Sequence, residues 1–194
     1  MMKTGVNLSH IKFNNLFSNE ECDNIIELLS KKPFKEGLVA KKNDEVATIF
    51  SMDWTKRKVQ TSYHEISKEN KWIFDRMDLL FKISNKRFKF DIDRTKEQLK
   101  FIKYDTGSHF SQWHTDTGEF YANLRKLSMS VSLSAMEDYD GGNLEIAPTE
   151  IGDILRVARG GAVVFPSFRH HRVTEVTRGI RYVLVNWISG PCFR

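Results

Sequence analysis

Apolar positions divide the chain into a helical first half and a second half of short strands. They recur at three- and four-residue steps after Ser18, and again over residues 67–85, which predicts two amphipathic helices. Ser18 and Glu21 have the spacing of a capping box at the start of the first helix, and Pro33 ends it. A strand over residues 11–17 is expected to precede this helix.

Beyond residue 98, short apolar runs alternate with turn residues such as Asp, Gly and Pro. This pattern predicts six strands, at Gln98 to Tyr104, Lys126 to Ser134, Asn143 to Ile146, Gly161 to Phe165, His171 to Val176 and Arg181 to Trp187. Many short strands at such spacing favour a sandwich or a jelly roll over alternating strands and helices. The preceding stretch, residues 36–62, has an irregular pattern. We interpret it as a loop with short strands, as over residues 45–50, and a mobile polar segment at 41–45.

Length and composition are those of a soluble globular protein. At 194 residues the chain fits one domain, and we expect residues 1–97 to be helical and irregular support for a core over 98–194. No apolar run is long enough for a membrane span or a signal peptide, which favours the cytoplasm. Cys22 and Cys192 are far apart and have no CxxC partner, which argues against a disulfide framework or a zinc ribbon.

The net charge of +5 is concentrated in the first half. Residues 1–97 contain 19 basic and 15 acidic side chains, whereas the rest contains 11 and 10. Such a basic lobe is compatible with acidic partners, including nucleic acid, or with an ordinary lysine-rich surface. The densest basic patches, 56–58 and 86–89, are short.

Candidate chemistry is concentrated at the end of one apolar run and at the start of one predicted strand. His114 and Asp116 follow an apolar run, and residues two apart in an extended chain face the same side, so both can bind one ion. His171 starts a predicted strand far downstream, and Arg181 follows ten positions later. Two histidines, one carboxylate and a distant arginine are the parts of a non-haem iron site with an anionic co-substrate.

These residues lie within a longer pattern that resembles the Fe(II)- and 2-oxoglutarate-dependent dioxygenases of the prolyl 4-hydroxylase type, of the bacterial and phage-like branch. The pattern covers roughly half of the chain, in the family's order. Its parts are Tyr104-x-x-Gly107-x-x-Phe110-x-x-Trp113-His114-x-Asp116, Arg125-Lys126-Leu127-Ser128-x-Ser130-Val131-x-Leu133-Ser134, Tyr139-x-Gly141-Gly142-x-Leu144, Phe165-Pro166-Ser167, His171-x-Val173-Thr174-x-Val176-Thr177-Arg178-Gly179-x-Arg181 and Trp187.

The resemblance implies a mainly β fold, a double-stranded β-helix or jelly roll with the N-terminal helices packed on its sheet. It also implies that His114, Asp116 and His171 hold Fe(II) as the catalytic metal, and that Arg181 and Tyr104 bind the distal carboxylate of 2-oxoglutarate. Dioxygen is then the second co-substrate, and ascorbate is an expected activator. His170 is expected to face away from the metal, since neighbouring residues in an extended segment face opposite sides.

The resemblance further implies hydroxylation of a peptidyl or protein side chain, with proline the first candidate and succinate and carbon dioxide as co-products. Glu175 stands where many relatives carry proline, and Arg181 where several prolyl hydroxylases carry lysine, so proline specificity is less firmly indicated than the co-substrate. The irregular stretch 36–62 is long enough to form a lid over an extended peptide. A nucleic-acid dioxygenase and a non-catalytic jelly-roll binding module are the two alternatives.

Overall fold

The computed structural model describes residues 9–42, 48–51, 53–93, 95, 97–118, 120–147 and 153–192. Two α-helices, two short 3-10 helices and sixteen strands are present in these ranges. The helices are α1 (Asn19–Ser30) and α2 (Lys71–Phe88). The strands are β1 (Ile11–Phe13), β2 (Lys35–Glu36), β3 (Val39–Lys42), β4 (Thr48–Ser51), β5 (Arg57–Lys58), β6 (Gln60–His64), β7 (Leu99–Tyr104), β8 (His109–His114), β9 (Arg125–Ser132), β10 (Tyr139–Gly141), β11 (Leu144–Ile146), β12 (Asp153–Ile154), β13 (Ala162–Pro166), β14 (His171–Val173), β15 (Val176–Gly179) and β16 (Arg181–Ser189).

Two sheets form the body of the fold. The larger has seven strands in the order β1-β13-β9-β16-β7-β6-β2, and the smaller has five in the order β12-β11-β14-β8-β5. All of the pairings are antiparallel, and two small two-stranded sheets, β10-β15 and β3-β4, complete the topology. Strands that neighbour each other in space come from distant parts of the chain, as in a jelly roll. The predicted mainly β jelly-roll class is therefore confirmed.

Alternation along the strands of the large sheet produces two apolar cores. Phe101 contributes to the core beneath the helices, while Ile102 contributes to the core between the two sheets; Val163 and Val164 divide in the same way. Successive strand residues face opposite sides, so one sheet serves both cores. The helices cover the outer face, with Ile25 and several residues of α2 completely buried there.

Local signals fix the helix ends. At α1 the Ser18 side chain accepts from the Glu21 amide, and the Glu21 carboxylate accepts from the Ser18 amide, which is the predicted capping box. The second helix begins later than predicted, at Lys71. Its N-cap, Asn70, instead uses its side chain to close the preceding turn, accepting from the amide of Ser67 and donating to the carbonyl of Glu65.

Several predicted boundaries were wrong. The opening strand ends at Phe13 because Asn15 adopts a positive φ of 58°, which turns the chain. The stretch interpreted as an irregular loop contains β2 to β6, with β3 and β4 paired as a hairpin from Val39 to Ser51. Residues 43–45 of the predicted mobile segment, together with residues 46, 47 and 52, lie outside the described ranges. None of the described helices is long and apolar enough to cross a bilayer.

Candidate active site

The smaller sheet brings the two candidate histidines together. His114 is the last residue of β8 and His171 is the first of β14, and the antiparallel register places them directly opposite each other. Asp116 lies just past the end of β8, where its amide donates to the carbonyl of Ser167 at 2.9 Å. One donor atom from each of the three side chains lies within 4.8 Å of the others, and His171 Nε2 is 3.5 Å from Asp116 Oδ2.

Backbone carbonyls set the orientation of both imidazoles. His114 Nδ1 lies 3.0 Å from the carbonyl oxygen of Gln112, and His171 Nδ1 lies 3.0 Å from that of Arg169. A carbonyl only accepts, so each Nδ1 carries the proton and donates it, which leaves the Nε2 lone pair for a metal. Burial, together with the neighbouring His171, lowers the pKa of His114 to about 3, so its ring is neutral at physiological pH.

The carboxylate of Asp116 is held in its charged form. Burial by itself raises the pKa of Asp116, but His171, His114, Arg125 and the hydroxyl of Ser128 outweigh burial, so the pKa falls below its ordinary value. The Ser128 hydroxyl donates to Asp116 Oδ2 at 2.7 Å. Two oriented imidazoles and one oriented carboxylate on one side of a cavity are the donor set of a non-haem Fe(II) site, so the residues present fit this metal.

Aromatic rings pack on both histidines. The Phe110 ring stacks on that of His114, with centroids 3.7 Å apart and an angle of 18° between the planes. Phe165 meets His171 edge-on at 4.9 Å. The guanidinium carbon of Arg57 lies over the Phe110 ring, 4.8 Å from its centroid. These contacts limit rotation of the imidazoles and keep water from their sides.

Arg181 and Tyr104 form the opposite wall of the same cavity. They are register partners on β16 and β7, both are buried, and the guanidinium carbon is 5.3 Å from the tyrosine ring. Arg181 Nε has no hydrogen-bond partner among the described residues. Gly142 leaves room for this side chain, because a Cβ there would lie 3.0 Å from Arg181 Cδ. A buried guanidinium without an acidic partner fits an anionic ligand such as the distal carboxylate of 2-oxoglutarate.

All five predicted site residues line one cavity between the two sheets. Of the neighbouring histidines, His170 is exposed, while His109 is half-buried on β8 and does not line the cavity. Trp187 lies on the inner face of β16, and the guanidinium carbon of Arg125 is 3.8 Å from the centroid of one of its rings.

Four residues of the cavity or its supporting contacts were not predicted. Arg57, Lys100 and Phe110 line the cavity, and Ser128 supports Asp116 from β9. In the sequence Arg57 belongs only to a short basic patch. No local signal singles it out, because β5 is two residues long and only the structure shows that Arg57 is buried while Lys58 is exposed. Phe110 and His114 belong to β8, which was not among the predicted strands.

The fold and site together define a class, the metal-dependent oxygenases that use a 2-oxoacid in a jelly-roll core. Comparisons with known proteins agree with this class: residues 99–189, just under half of the chain, match the sequence model of the 2OG-Fe(II) oxygenase superfamily. Over these residues the chain is similar to that superfamily, and its fold is similar to that of a solved prolyl 4-hydroxylase. That superfamily uses Fe(II), 2-oxoglutarate and dioxygen, and the triad of His114, Asp116 and His171 facing Arg181 fits this metal and co-substrate.

Relatives and solved structures agree with this assignment. A PKHD-type hydroxylase of Rippkaea orientalis is 28% identical over 194 residues, covering 93% of this chain and 78% of that protein. One of Synechococcus sp. is 44% identical over 64 residues, which span 33% of this chain and only 29% of that relative. A Pseudomonas putida prolyl-4-hydroxylase superposes with a TM-score of 0.72 at 16% identity, covering 94% of this chain and 93% of that one. A Trichoplax adhaerens prolyl hydroxylase, solved with a hypoxia-inducible factor peptide fragment, gives 0.70 at 16%, with 94% and 84% covered.

Proposed function

We propose that this chain hydroxylates a side chain of a peptide or protein, most simply a prolyl side chain, while 2-oxoglutarate is converted to succinate and carbon dioxide. The observation that carries the proposal is the shared cavity, in which the His114, Asp116 and His171 donors face the guanidinium of Arg181, whose Nε has no partner among the described residues. A metal-binding triad opposite an anion-binding side chain is the arrangement that a chelating dicarboxylate requires.

Each residue has a distinct role in this proposal. His114, Asp116 and His171 hold Fe(II), which, when bound with 2-oxoglutarate, supplies the activation of dioxygen that breaks an unactivated C–H bond. Arg181, with Tyr104 opposite it, binds the distal carboxylate and so orients the co-substrate. The Ser128 hydroxyl orients Asp116, and the backbone carbonyl two residues before each histidine orients its ring. The donor atoms therefore require little reorganisation when the metal binds.

A peptide substrate is supported by the relatives and by the hairpin β3-β4. The curated relatives are named PKHD-type hydroxylases, and the Trichoplax enzyme was solved with a peptide fragment. In this chain the hairpin starts directly after Leu38, whose carbonyl accepts from Arg57 Nη1 at 2.6 Å in the wall of the cavity. A hairpin that leaves the cavity wall is well placed to cover an extended peptide, as a lid does.

The nucleic-acid alternative gains no support from the described surface. Of the basic patch at residues 56–58, Arg57 is buried in the cavity and Lys56 lies 3.6 Å from Asp53. The other patch lies in the last turn and C-cap of α2, which packs on the outer face of the large sheet rather than on the cavity. A single domain over residues 1–194, a cytoplasmic location and activation by ascorbate remain predictions that accompany the proposal.

The proposal is tested by incubating the protein with Fe(II), ascorbate, 2-oxoglutarate and a library of proline-containing peptides. We expect succinate together with peptide products 16 Da heavier than the substrates, and loss of both in His171→Ala, whereas His170→Ala retains them. Each variant is checked for folding by circular dichroism. Products on single-stranded oligonucleotides but not on peptides would replace the proposal with the nucleic-acid alternative.

A further inference from the structure

The cavity contains more positive charge than the proposed roles require. Its lining includes three basic side chains, Arg57, Lys100 and Arg181, but a single carboxylate, Asp116. In the described part of the chain none of the three basic side chains forms a salt bridge. Buried charges in proteins are ordinarily paired, because removing an ion from water without a counter-charge is costly. The unpaired cations therefore indicate anionic ligands.

Arg57 is the more deeply buried of the two unassigned cations. It is 7% exposed, and its only hydrogen bond to a described residue runs from Nη1 to the carbonyl of Leu38. Its Nε has no partner among the described residues, and its guanidinium lies over the ring of Phe110, which stacks on His114. Arg57 thus lines the cavity beside a proposed iron ligand while most of its hydrogen-bonding capacity is unused.

Lys100 lies on the other sheet, on the face of β7 that carries Tyr104. Its ammonium nitrogen is 5.5 Å from the ring of Tyr63 and 6.0 Å from that of Trp187, so it contacts aromatic faces rather than a carboxylate. Burial, and then the charge of Arg57, lowers the pKa of Lys100 well below its ordinary value. An anion in the cavity would therefore stabilise the ammonium form.

The metal and co-substrate do not supply that anion. Fe(II) and the 2-oxoglutarate dianion cancel each other's charge, Asp116 offsets one of the three cations, and Arg181 is assigned to the distal carboxylate. Arg57 keeps a positive charge without a counter-charge in the space left for the substrate, and Lys100 beside it would gain a second when an anion binds. We infer that the substrate carries a carboxylate that binds to Arg57 and Lys100 beside the carbon to be hydroxylated.

This inference rests on the proposed function and narrows its substrate to acidic peptides. The carboxylate has two possible sources, an Asp or Glu side chain next to the target residue or a free carboxyl terminus at it. A guanidinium binds either with the same paired hydrogen bonds, whereas an amide of equal size offers no charge. Acidic and amide forms of one peptide are therefore the probes that isolate the interaction.

Binding is measured without turnover, on the protein loaded with Fe(II) and 2-oxoglutarate in the absence of oxygen. Two pairs of otherwise identical random peptide libraries are compared. The first pair has either Asp and Glu or Asn and Gln beside a central proline, and the second has a carboxy-terminal proline as either free acid or amide. We expect at least about ten-fold greater retention of the acidic form in one pair, as is typical of a charge-assisted contact. Which pair shows it identifies the source of the carboxylate.

Variants then assign the preference to residues. Arg57→Gln and Lys100→Gln should each reduce the ratio of acidic to amide retention towards one, whereas Lys103→Gln should not, because Lys103 lies on the other face of β7 beside Asp105. Equal retention of acidic and amide libraries by the wild type, including retention of neither, overturns the inference. So does a rise in the Michaelis constant for 2-oxoglutarate in Arg57→Gln as large as in Arg181→Ala, since Arg57 would then serve the co-substrate.

Admitting oxygen to the same samples tests the acidic-substrate inference separately from the hydroxylase proposal. Hydroxylation of acidic and amide peptides with equal efficiency contradicts the acidic-substrate inference but leaves peptidyl hydroxylation intact. Tight binding of acidic peptides with no product 16 Da heavier contradicts the hydroxylase proposal but supports the anion subsite.

Discussion

Replacing Arg181 with alanine should weaken the use of 2-oxoglutarate far more than the binding of iron. Arg181 is 6% exposed, forms no salt bridge within the described residues and lies in the cavity opposite the triad. Losing a charge-assisted, two-bond contact in such a site costs about 2–4 kcal/mol, which corresponds to a rise of about thirty- to a thousand-fold in the apparent Michaelis constant. Arg181→Lys should recover part of this loss, because lysine keeps the charge but not the planar fork.

The assay measures succinate formation across a range of 2-oxoglutarate concentrations, with iron affinity measured separately. Arg178→Ala is the matched control, since Arg178 lies nearby on β15 but is exposed and paired with Asp140 at 2.6 Å. This control should leave the Michaelis constant unchanged. An unchanged constant in Arg181→Ala would show that another cation, such as Arg57 or Lys100, holds the distal carboxylate.

Three further predictions concern the triad and the hairpin. Ser128→Ala should weaken metal affinity about 10- to 100-fold, as measured by metal titration, because Asp116 loses a 2.7 Å hydrogen bond; Ser132→Ala, whose hydroxyl contacts Ser134 instead, should not. The metal-free protein should lose stability as pH falls from about 6.5 towards 3, by up to about 1.4 kcal/mol per pH unit from His114, because the unfolded state takes up a proton that the buried ring does not. Urea titrations at several pH values should show that the free energy of unfolding falls less steeply with pH in His114→Gln than in the wild type. An equally steep fall in the two proteins would contradict this prediction. Replacing β3 and β4 with a glycine-serine linker should impair peptide hydroxylation but not peptide-independent decay of 2-oxoglutarate, and equal loss of both would argue against a lid.

Parts of the fold with local signals could be predicted from the sequence. The capping box of Ser18 and Glu21 marks the first turn of α1 because both partners lie within four residues. Most strands of the second half were also located, since each carries apolar residues that belong to one or both of the two cores. The hairpin and the two-residue strands were not predicted, because β2 and β5 are too short to show any period and exist only through their neighbours β6 and β8.

The candidate site likewise contains residues that could be identified from the sequence and residues that could not. His114, Asp116 and His171 could be named because they fall within a dense motif, and their convergence follows from the antiparallel pairing of β8 with β14. Arg57 could not be assigned, because only the pairing of β5 with β8 places it over Phe110. Lys100 looks like a surface lysine in sequence, and only the closure of one sheet on the other places it in the cavity.

The central claim is tested most directly by measuring succinate and hydroxylated peptide in the same reaction, for the wild type and for His171→Ala. The account predicts that the wild type forms both products in an Fe(II)- and 2-oxoglutarate-dependent manner, close to one succinate per hydroxyl group with a good substrate. It predicts that His171→Ala, folded as judged by circular dichroism, forms neither. Full activity in His171→Ala, or peptide hydroxylation that continues without 2-oxoglutarate, would contradict the account.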